Sequence, residues 1–508
     1  MIDLILFILV LGINILIHEF AHFYFARKAN ILCHEFAIGM GPAIYQKKKG
    51  ETIYSIRAIP LGGYVSMAGE EVSNFVKKNQ NIGINLDEFG NVKEIILNNE
   101  SKYDKIGKVI NFDLYGEDNN PLFLKLNVLG EIITYKVNKD AFYILSEKKK
   151  MQLSIAERSY ENATLWQRFK VVFAGPLSNF ILAFLILFIL AFFIGKPNNN
   201  TEIGSSISSQ IEKGDVITKV DGQSVATFDE INKVLTTNKT NKVTIELNND
   251  KEITVDLTII IQGLGFTNKP GDDRLIVGEV FGRDKDLKEN DEITHILLSD
   301  TIKSEKDLIE LSSWNDLLNY LNDEENTTKA NVRLKVLRDG EEREVFYKNL
   351  NSNTLKKLGA NYTNYQIGVT GTNSFNIFYP LYFPFVQVGN DMKQMLNTIG
   401  LLISPKSGVT VKDLAGPVGI FTLVSSARSQ GVVAFFVFFA FLSVNVGFLN
   451  LMPIPALDGG RIVFIIYEAI TKKKVNKNVE NAIITITFIL LLILMIFVTF
   501  QDISRIFR

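Results

Sequence analysis

Two histidines and a glutamate near the start of the chain have the spacing of a metal-binding pair. His18 and His22 are four residues apart, and Glu19 follows the first of them. On a helix this spacing places both imidazoles on one face. In the H-E-x-x-H arrangement two neutral imidazoles hold Zn²⁺ and the carboxylate takes a proton from metal-bound water. The alternative is a histidine pair that anchors a helix end at the membrane interface.

The letters HEFA occur a second time, beginning at His34. Ile38 stands where the second histidine would be, so this copy cannot chelate through a helical pair. Gly39, Gly41 and Pro42 also disfavour a helix there. The sequence therefore predicts that the first copy carries the chemistry.

A peptidase zinc site needs a third protein ligand and leaves its fourth position to water. Asp458 is the candidate, because it lies in NLMPIPALDGG at 450–460, directly after an apolar run. Prolines end a helix there and paired glycines let the backbone turn. His34 lies in a Gly-rich loop close behind the motif and His295 lies across the predicted membrane, so both are poorer candidates. The alternative for Asp458 is a carboxylate that caps a helix or closes a turn.

Four apolar runs predict a polytopic α-helical membrane protein with about four transmembrane helices. They lie at 4–17, 171–194, 432–449 and 483–500. With its flanks, each is about long enough to cross a hydrocarbon core ~30 Å thick. A soluble protein would have to bury four very long helices. The net charge of −1 gives no indication of a nucleic-acid partner.

Basic residues predict the orientation of these helices. They cluster at Arg27, Lys28, Lys47, Lys48, Lys49, Arg168 and Lys170, and again at Lys472, Lys473, Lys474 and Lys477. The positive-inside rule then places 27–168 and 461–478 in the cytoplasm and 196–430 outside. The first and third spans run in the same direction, so His18 and Asp458 both reach the inner half of the bilayer.

Two further features follow from composition near the start of the chain. Asp3 stands where a signal peptide has basic residues, so the first run is expected to remain as a span. Cys33 is the only cysteine, which excludes an intrachain disulfide.

The outer region contains two copies of one α+β unit. Residues 213–220 match residues 289–296, and each stretch is followed by a short helical pattern and alternating strands. The stretch GDVITKVDG at 214–222 resembles PDZ domains. Residues 263–266 resemble the loop with which PDZ domains grip peptide C-termini, but they also fit a closing strand, like residues 367–369. Residues 71–160 alternate like strands and predict a β-rich insert without assigned chemistry.

Several motifs together resemble the site-2 protease family of intramembrane zinc metalloproteases, most closely its bacterial members with tandem PDZ domains. They are HEFAH at 18–22, FAIGMGP at 36–42, IPLGGYVSMAGE at 59–70, FAGPLSN at 173–179, LAGPVGI at 414–420 and NLMPIPALDGG at 450–460. The resemblance covers most of the chain outside residues 71–160. It implies that His18, His22 and Asp458 hold one Zn²⁺ per chain, with Glu19 as general base and later proton donor.

The resemblance also implies which residues meet the substrate. Gly63 and Tyr64 fall in a membrane-dipping β-hairpin whose edge pairs with an extended substrate strand. Asn445 and Asn450 match positions that hydrogen-bond the substrate backbone. Asn179 is open between a helix-packing role and a functional one. The chain departs from the family pattern at Arg461, where many members have histidine, and in its long insert.

The predicted segments follow from these observations. They are the first span with its motif and hairpin (1–70), the cytoplasmic insert (71–165), the second span (166–196), two extracytoplasmic PDZ-like domains (197–270 and 271–372), an interfacial linker with an amphipathic helix (373–431), the third span (432–460), a cytoplasmic basic loop (461–481) and the fourth span (482–508).

The expected activity is hydrolysis of peptide bonds within transmembrane segments of membrane proteins already cleaved on their outer side. The enzyme would lie in the plasma membrane, with the lipid bilayer and peptide C-termini as further partners and no nucleic acid. One rival is a PDZ membrane scaffold with a vestigial metal site, which the intact motif disfavours. The other is a transporter, which the scarcity of polar residues in the second and fourth runs disfavours.

Overall fold

The computed structural model describes residues 2–69, 75–98, 101–117, 120–146, 149–237, 240–248, 250–281, 286–300, 307–404, 409–411 and 414–506. The last residue of the motif at 59–70 and the first residues of the predicted insert lie outside these ranges. The helices are α1 (Ile2–Lys28), α2 (Leu165–Ile194), α3 (Phe228–Thr237), α4 (Trp314–Asn322), α5 (Glu324–Thr327), α6 (Ser352–Lys357), α7 (Tyr379–Ile403), α8 (Pro417–Ser429), α9 (Val432–Leu451), α10 (Asp458–Thr471) and α11 (Lys477–Ile506).

The strands fall into three groups along the chain. The first group is β1 (Cys33–Lys49), β2 (Thr52–Met67), β3 (Asn81–Leu86), β4 (Val92–Ile96), β5 (Lys105–Asp113), β6 (Phe123–Val128), β7 (Glu131–Ser146) and β8 (Lys149–Gln152). The second is β9 (Lys196–Pro197), β10 (Ile203–Ser206), β11 (Ile217–Val220), β12 (Gln223–Ser224), β13 (Lys242–Leu247), β14 (Lys251–Asp256), β15 (Thr258–Ile261) and β16 (Phe266–Asn268). The third is β17 (Val277–Val280), β18 (Glu292–Ser299), β19 (Ile309–Glu310), β20 (Asn331–Arg338), β21 (Glu341–Lys348), β22 (Thr363–Gln366), β23 (Val369–Gly371) and β24 (Asn373–Ser374).

Four helices of the described chain are long and apolar enough to cross a membrane. They are Ile2–Lys28, Leu165–Ile194, Val432–Leu451 and Lys477–Ser504, and they contain the four predicted apolar runs. Even the shortest, with 20 residues, spans ~30 Å at ~1.5 Å per residue. The prediction of four candidate spans is confirmed.

The chain divides into two units. Unit 1 comprises Met1–Ala183 and Ala427–Leu492, and unit 2 comprises Phe184–Ser426 and Ile493–Arg508.

In unit 1, one face of α1 is packed against protein. Val10, Asn14, His18, His22 and Ala26 recur every four residues along the helix, and all five are buried. Residues four apart share a helix face. The opposite face carries exposed aromatic side chains at Phe20 and Tyr24. The helix therefore separates a lipid-facing side from a side that holds both histidines of the motif.

The strands β1 and β2 fold into a small sheet beside α1. Residues 35–38 pair on one side with residues 53–56 and on the other with residues 63–66. A shared apolar cluster joins the sheet to two helices; its buried members are Phe23, Ala26, Ile31, Cys33, Phe36, Val65, Met67 and Val171. In the described part of the chain, no strand pairs with the outer side of residues 63–66. That edge is open for a further strand.

The β-rich insert is a separate sheet with its own core. Its strand order is β4-β3-β5-β6-β7-β8, and β4 also pairs with β7, so the sheet closes on itself. Ile82, Ile84, Val109, Leu124 and Leu126 are among the buried side chains inside it. The insert begins and ends at neighbouring backbone positions, because the Tyr160 N–H donates to the Ala68 carbonyl at 2.7 Å.

The predicted cytoplasmic loop at 461–481 is mostly helical. Helix α10 begins at Asp458 and continues to Thr471, so only residues 472–476 separate it from α11. The basic residues that suggested a loop begin after Thr471, whereas Ile465, in the apolar stretch before it, is buried. An ion pair of 2.5 Å between Arg168 and Glu468 ties α10 to the start of α2.

Unit 2 contains a structural repeat. The sheets β12-β11-β13-β14 and β19-β18-β20-β21 have the same strand order, and each receives a helix, α3 or α4, at the same point of its sequence. A third sheet, β17-β16-β15-β22, takes strands from both sides of residue 270, where the sequence analysis placed a boundary.

Residues 263–266 lie in the turn that leads from β15 into β16, and this turn is packed closely against the rest of the protein. Leu264 and Phe266 are fully buried, and a Cβ on Gly263 would lie 2.0 Å from the Tyr362 ring.

The motif at 414–420 has a structural role in the same unit, where the Gly416 and Gly419 N–H groups both donate to the Asp502 carboxylate at 2.8 Å. A carboxylate at the start of α8 is stabilised by the helix dipole.

Candidate metal centre and active site

The two histidines of α1 face each other across one turn of the helix. Their Nε2 atoms are 3.1 Å apart, and both side chains are buried. The Nδ1 of His22 lies 2.7 Å from the Val171 carbonyl oxygen of α2. A carbonyl only accepts, so Nδ1 carries the proton and the Nε2 lone pair of His22 points into the centre.

Asp458 joins the histidine pair from the start of α10. Its Oδ2 lies 3.1 Å from His18 Nε2 and 3.3 Å from His22 Nε2. Among the described residues, this buried oxygen has no hydrogen-bond partner of normal geometry. Its position follows from the turn before it, because Pro453 and Pro455 interrupt the helix and α10 begins at Asp458. Two histidines from the start of the chain and an aspartate more than 400 residues later thus meet at one point.

The three atoms fit a zinc ion. Tetrahedral zinc with Zn–N distances of ~2.0–2.1 Å separates two of its ligand atoms by about 3.3 Å. The observed separations are 3.1, 3.1 and 3.3 Å. Two imidazoles and one carboxylate are also a ligand set of catalytic zinc sites, which leave the fourth position to water.

Glu19 lies beside this centre and against the small sheet. Its charge interacts with both imidazoles and with Asp458. A Cβ built on Gly63 would lie 2.8 Å from the Glu19 Cγ, so the sheet backbone packs against the Glu19 side chain with no room for a larger residue at position 63. Gly63 therefore places the open edge of residues 63–66 next to the acid of the motif.

Gly175 is a site residue that the sequence analysis did not single out. A Cβ at this position of α2 would lie 2.3 Å from His22 Nε2 and 2.9 Å from His18 Cε1. The absence of a side chain makes room for both imidazoles. The signal was present in FAGPLSN at 173–179, where a glycine stands four residues before Asn179, but its partner on α1 could not be read from the motif alone.

The other predicted substrate-binding residues lie on the elements around the centre. Tyr64 is in the edge strand, and the Arg57 guanidinium lies 5.1 Å from its ring centroid. Asn445 donates from its amide nitrogen to the Phe441 carbonyl at 2.7 Å, which leaves its oxygen for another donor. Asn450 is half-buried in the last turn of α9.

The second HEFA copy is not part of the centre. It lies in β1, and His34 Nε2 is 2.9 Å from the Ser154 hydroxyl of the insert. Burial lowers the pKa of His34 to about 4, and Arg158 acts in the same direction against the opposing charge of Glu51. Glu35 forms an ion pair of 2.7 Å with Arg57. His295, the fourth histidine, contacts the Thr294 hydroxyl at 3.0 Å in the sheet of β18.

A zinc-type ligand set with a carboxylate beside it, whose histidine pair is on a membrane-spanning helix, is typical of a membrane-embedded metallopeptidase. The complete centre does not fit a scaffold with a vestigial site.

Comparison with known proteins gives the family. The model of Peptidase family M50 matches residues 6–494, so the chain belongs to peptidase family M50. The zinc metalloprotease RasP of Shouchella clausii (strain KSM-K16) is 31% identical to it over 514 residues, which cover 99% of each chain.

Two further relatives come from Bacillus species. The zinc metalloprotease RasP of Bacillus licheniformis is 28% identical over 510 residues, covering 99% of this chain and 98% of the relative. The regulator of sigma-W protease RasP of Bacillus subtilis (strain 168) is 27% identical over 511 residues, with the same coverage. The chain is thus an intramembrane zinc metalloendopeptidase of the site-2 protease type.

Proposed function

We propose that this enzyme cleaves peptide bonds within transmembrane segments of membrane proteins that have already lost their outer part. The observation that carries the proposal is the convergence of His18, His22 and Asp458 beside Glu19, with the histidines and Glu19 on a membrane-spanning helix. The name of the Bacillus subtilis relative, regulator of sigma-W protease, supports a membrane-bound regulator such as an anti-sigma factor as one substrate. Remnants of signal peptides are chemically similar substrates.

His18, His22 and Asp458 would hold one zinc ion per chain, because their Nε2 and Oδ2 atoms converge on one point. When bound, zinc polarises the scissile carbonyl and lowers the pKa of its water ligand. Glu19 accepts the proton of that water and later donates it to the leaving amine. The Val171 carbonyl keeps the His22 ring in the orientation that presents Nε2.

The substrate must be extended before it can react, because a helix keeps its peptide bonds within its own hydrogen-bond ladder. The open edge of residues 63–66 supplies a strand against which an unwound segment pairs. Its position against Glu19, through Gly63, supports attack on a bond held at this edge. Tyr64 lines the same edge, and Asn445 and Asn450 offer amides to the substrate backbone.

The orientation and the outer units complete the proposal. The basic clusters support a plasma-membrane enzyme with its active site toward the cytoplasm, β3–β8 in the cytoplasm and residues 196–430 outside. The repeated sheets with α3 and α4 support two PDZ-like units, near 197–270 and 271–372. They exclude substrates with bulky outer domains or bind their newly formed C-termini. Because the turn at 263–266 is packed closely against the protein, the exclusion of bulky substrates has better support than the binding of C-termini.

The test is cleavage of a single-span reporter by the full-length enzyme in lipid. Glu19→Gln should lower the cleavage rate by about 10²–10⁴-fold, because it removes the general base, while the zinc content stays unchanged. Glu35→Gln, the matched change in the second HEFA copy, should retain zinc and cleave within a few-fold of the wild type. Cleavage by Glu19→Gln at the wild-type rate would refute the role of Glu19. A reporter that keeps a large outer domain should be cut more slowly than its trimmed form.

A further inference from the structure

A side chain behind the metal centre contacts one of its histidines. Asn179 of α2 is fully buried, and its amide nitrogen lies 3.4 Å from His18 Nδ1. Its amide oxygen is also buried and has no hydrogen-bond partner among the described residues. A buried amide oxygen without a donor destabilises the fold, so packing alone does not account for asparagine here.

The position of the proton on the His18 imidazole decides which atom of the Asn179 amide can face that ring. His18 Nε2 lies 3.1 Å from both His22 Nε2 and Asp458 Oδ2, so its lone pair points into the centre. A neutral imidazole that binds through Nε2 carries its proton on Nδ1 and requires an acceptor there. The amide nitrogen of asparagine can only donate, whereas its amide oxygen can accept.

We propose that Asn179 is a positioning residue for the metal centre. With the ion bound, its amide is turned so that Oδ1 accepts the Nδ1–H of His18. The two ends of a carboxamide are nearly the same size, so the exchange needs only a rotation about the terminal side-chain bond. The rotation gives the unpartnered oxygen a donor and fixes the tautomer and ring plane of His18.

The two histidines are then supported in the same way by a single helix. Val171, Gly175 and Asn179 recur every four residues on α2 and share one face. The Val171 carbonyl accepts from His22, and Gly175 leaves room for both rings. In the proposed orientation, the Asn179 amide oxygen accepts from His18. Partners of this kind, behind the ligands, orient the rings and raise metal affinity.

The experiment measures zinc affinity of the full-length protein in lipid nanodiscs by competition with a chromogenic chelator. Asn179→Leu should weaken zinc binding about 10- to 100-fold, because His18 loses its acceptor. Asn179→Asp should stay within about threefold of the wild type, because a carboxylate accepts the same bond. Ser443→Ala is the control; its hydroxyl bonds the Asn179 backbone carbonyl at 2.8 Å, and its loss should leave zinc affinity unchanged.

A role limited to packing predicts the opposite order, since a buried carboxylate is tolerated less well than leucine. Wild-type affinity in Asn179→Leu, or an equal loss in both variants, would overturn the proposal. A second readout is the rise in Tm on zinc addition, which reports binding to the folded state. Asn179→Leu should reduce that rise, measured for each variant against the Tm of its own zinc-free form. If the leucine variant does not fold, the zinc-induced rise in Asn179→Asp decides: a wild-type rise supports the proposal and its loss contradicts it.

The inference rests on the proposed ligand set, but the two can fail separately. Retention of zinc by His18→Ala would refute the ligand set. Retention of zinc by Asn179→Leu, with His18 still required, would refute only the role of Asn179.

Discussion

At residues 18–21 the letters HEFA form part of helix α1, and at residues 34–37 the same letters form part of strand β1. On the helix, the residue four places on shares a face with the first histidine, so His18 meets His22. On the strand, neighbouring side chains point to opposite faces. His34 therefore contacts Ser154 of the insert, while Glu35 pairs with Arg57.

The difference shows that the role of a motif depends on the secondary-structure element that carries it, because the side-chain period of that element decides which residues share a face. In the first copy, two rings and a carboxylate from α10 present lone pairs to one point. In the second, His34 Nε2 and the Glu35 carboxylate already have protein partners. The same residue types thus belong to the proposed metal centre in α1 and to structural contacts of the hairpin sheet in β1, one of them with the insert.

The largest expected difference between the copies is in zinc content. His18→Ala removes one of three proposed ligands, so we expect the purified protein to lose its zinc and its cleavage activity. His34→Ala, the same change in the second copy, should keep its full zinc content, measured by plasma emission spectrometry. Equal zinc loss in both variants would mean that the second copy also serves the centre.

A smaller effect is expected from filling the space behind the rings. Gly175→Ala places a Cβ where the structure leaves only 2.3 Å to His22 Nε2, so the ring must shift. We expect zinc affinity to fall about 10- to 100-fold, the range seen when ligand orientation is disturbed. Gly12→Ala in α1 is the control, since a Cβ there has nothing within 4 Å. Unchanged affinity in Gly175→Ala would contradict the close packing of α2 on the rings.

The smallest effect concerns the second copy alone and is a dependence of stability on pH. Burial lowers the pKa of His34 to about 4, so the folded protein resists protonation that the unfolded chain accepts below about 6.5. Stability should therefore fall as pH drops from about 6.5 toward 4, by on the order of 1 kcal/mol between pH 7.5 and 5.5. The Tm of zinc-free wild type and His34→Gln at both pH values measures it. An equally large pH effect in the variant would show that another group is responsible.

Much of the architecture follows from local pattern. The four spans could be predicted because each is a continuous apolar run, and the repeat in unit 2 because residues 213–220 and 289–296 share a pattern. The prediction of a non-helical second HEFA copy is confirmed by β1. The zinc enzyme could be predicted because H-E-x-x-H needs only helical spacing and a third ligand at a helix break.

What could not be predicted depends on contacts between distant segments. Helix α10 was mistaken for a loop because basic residues after Thr471 dominated the interpretation of 461–481. The closure of the insert by β4 against β7 requires a long-range pairing that no local pattern specifies. Gly175 and Asn179 stood in a recognised motif, but which atoms of α1 they face depends on the packing of two helices.

The neighbouring attachment points of the insert have a consequence for protein engineering. Ala68 and Tyr160 are joined by a backbone hydrogen bond. The residues between them therefore form an insertion whose two ends are adjacent in space. Its length can change without altering the separation of those two residues. These two residues therefore mark the place at which the intervening segment can be exchanged for a fluorescent reporter or an affinity handle, while Ala68 and Tyr160 stay neighbours.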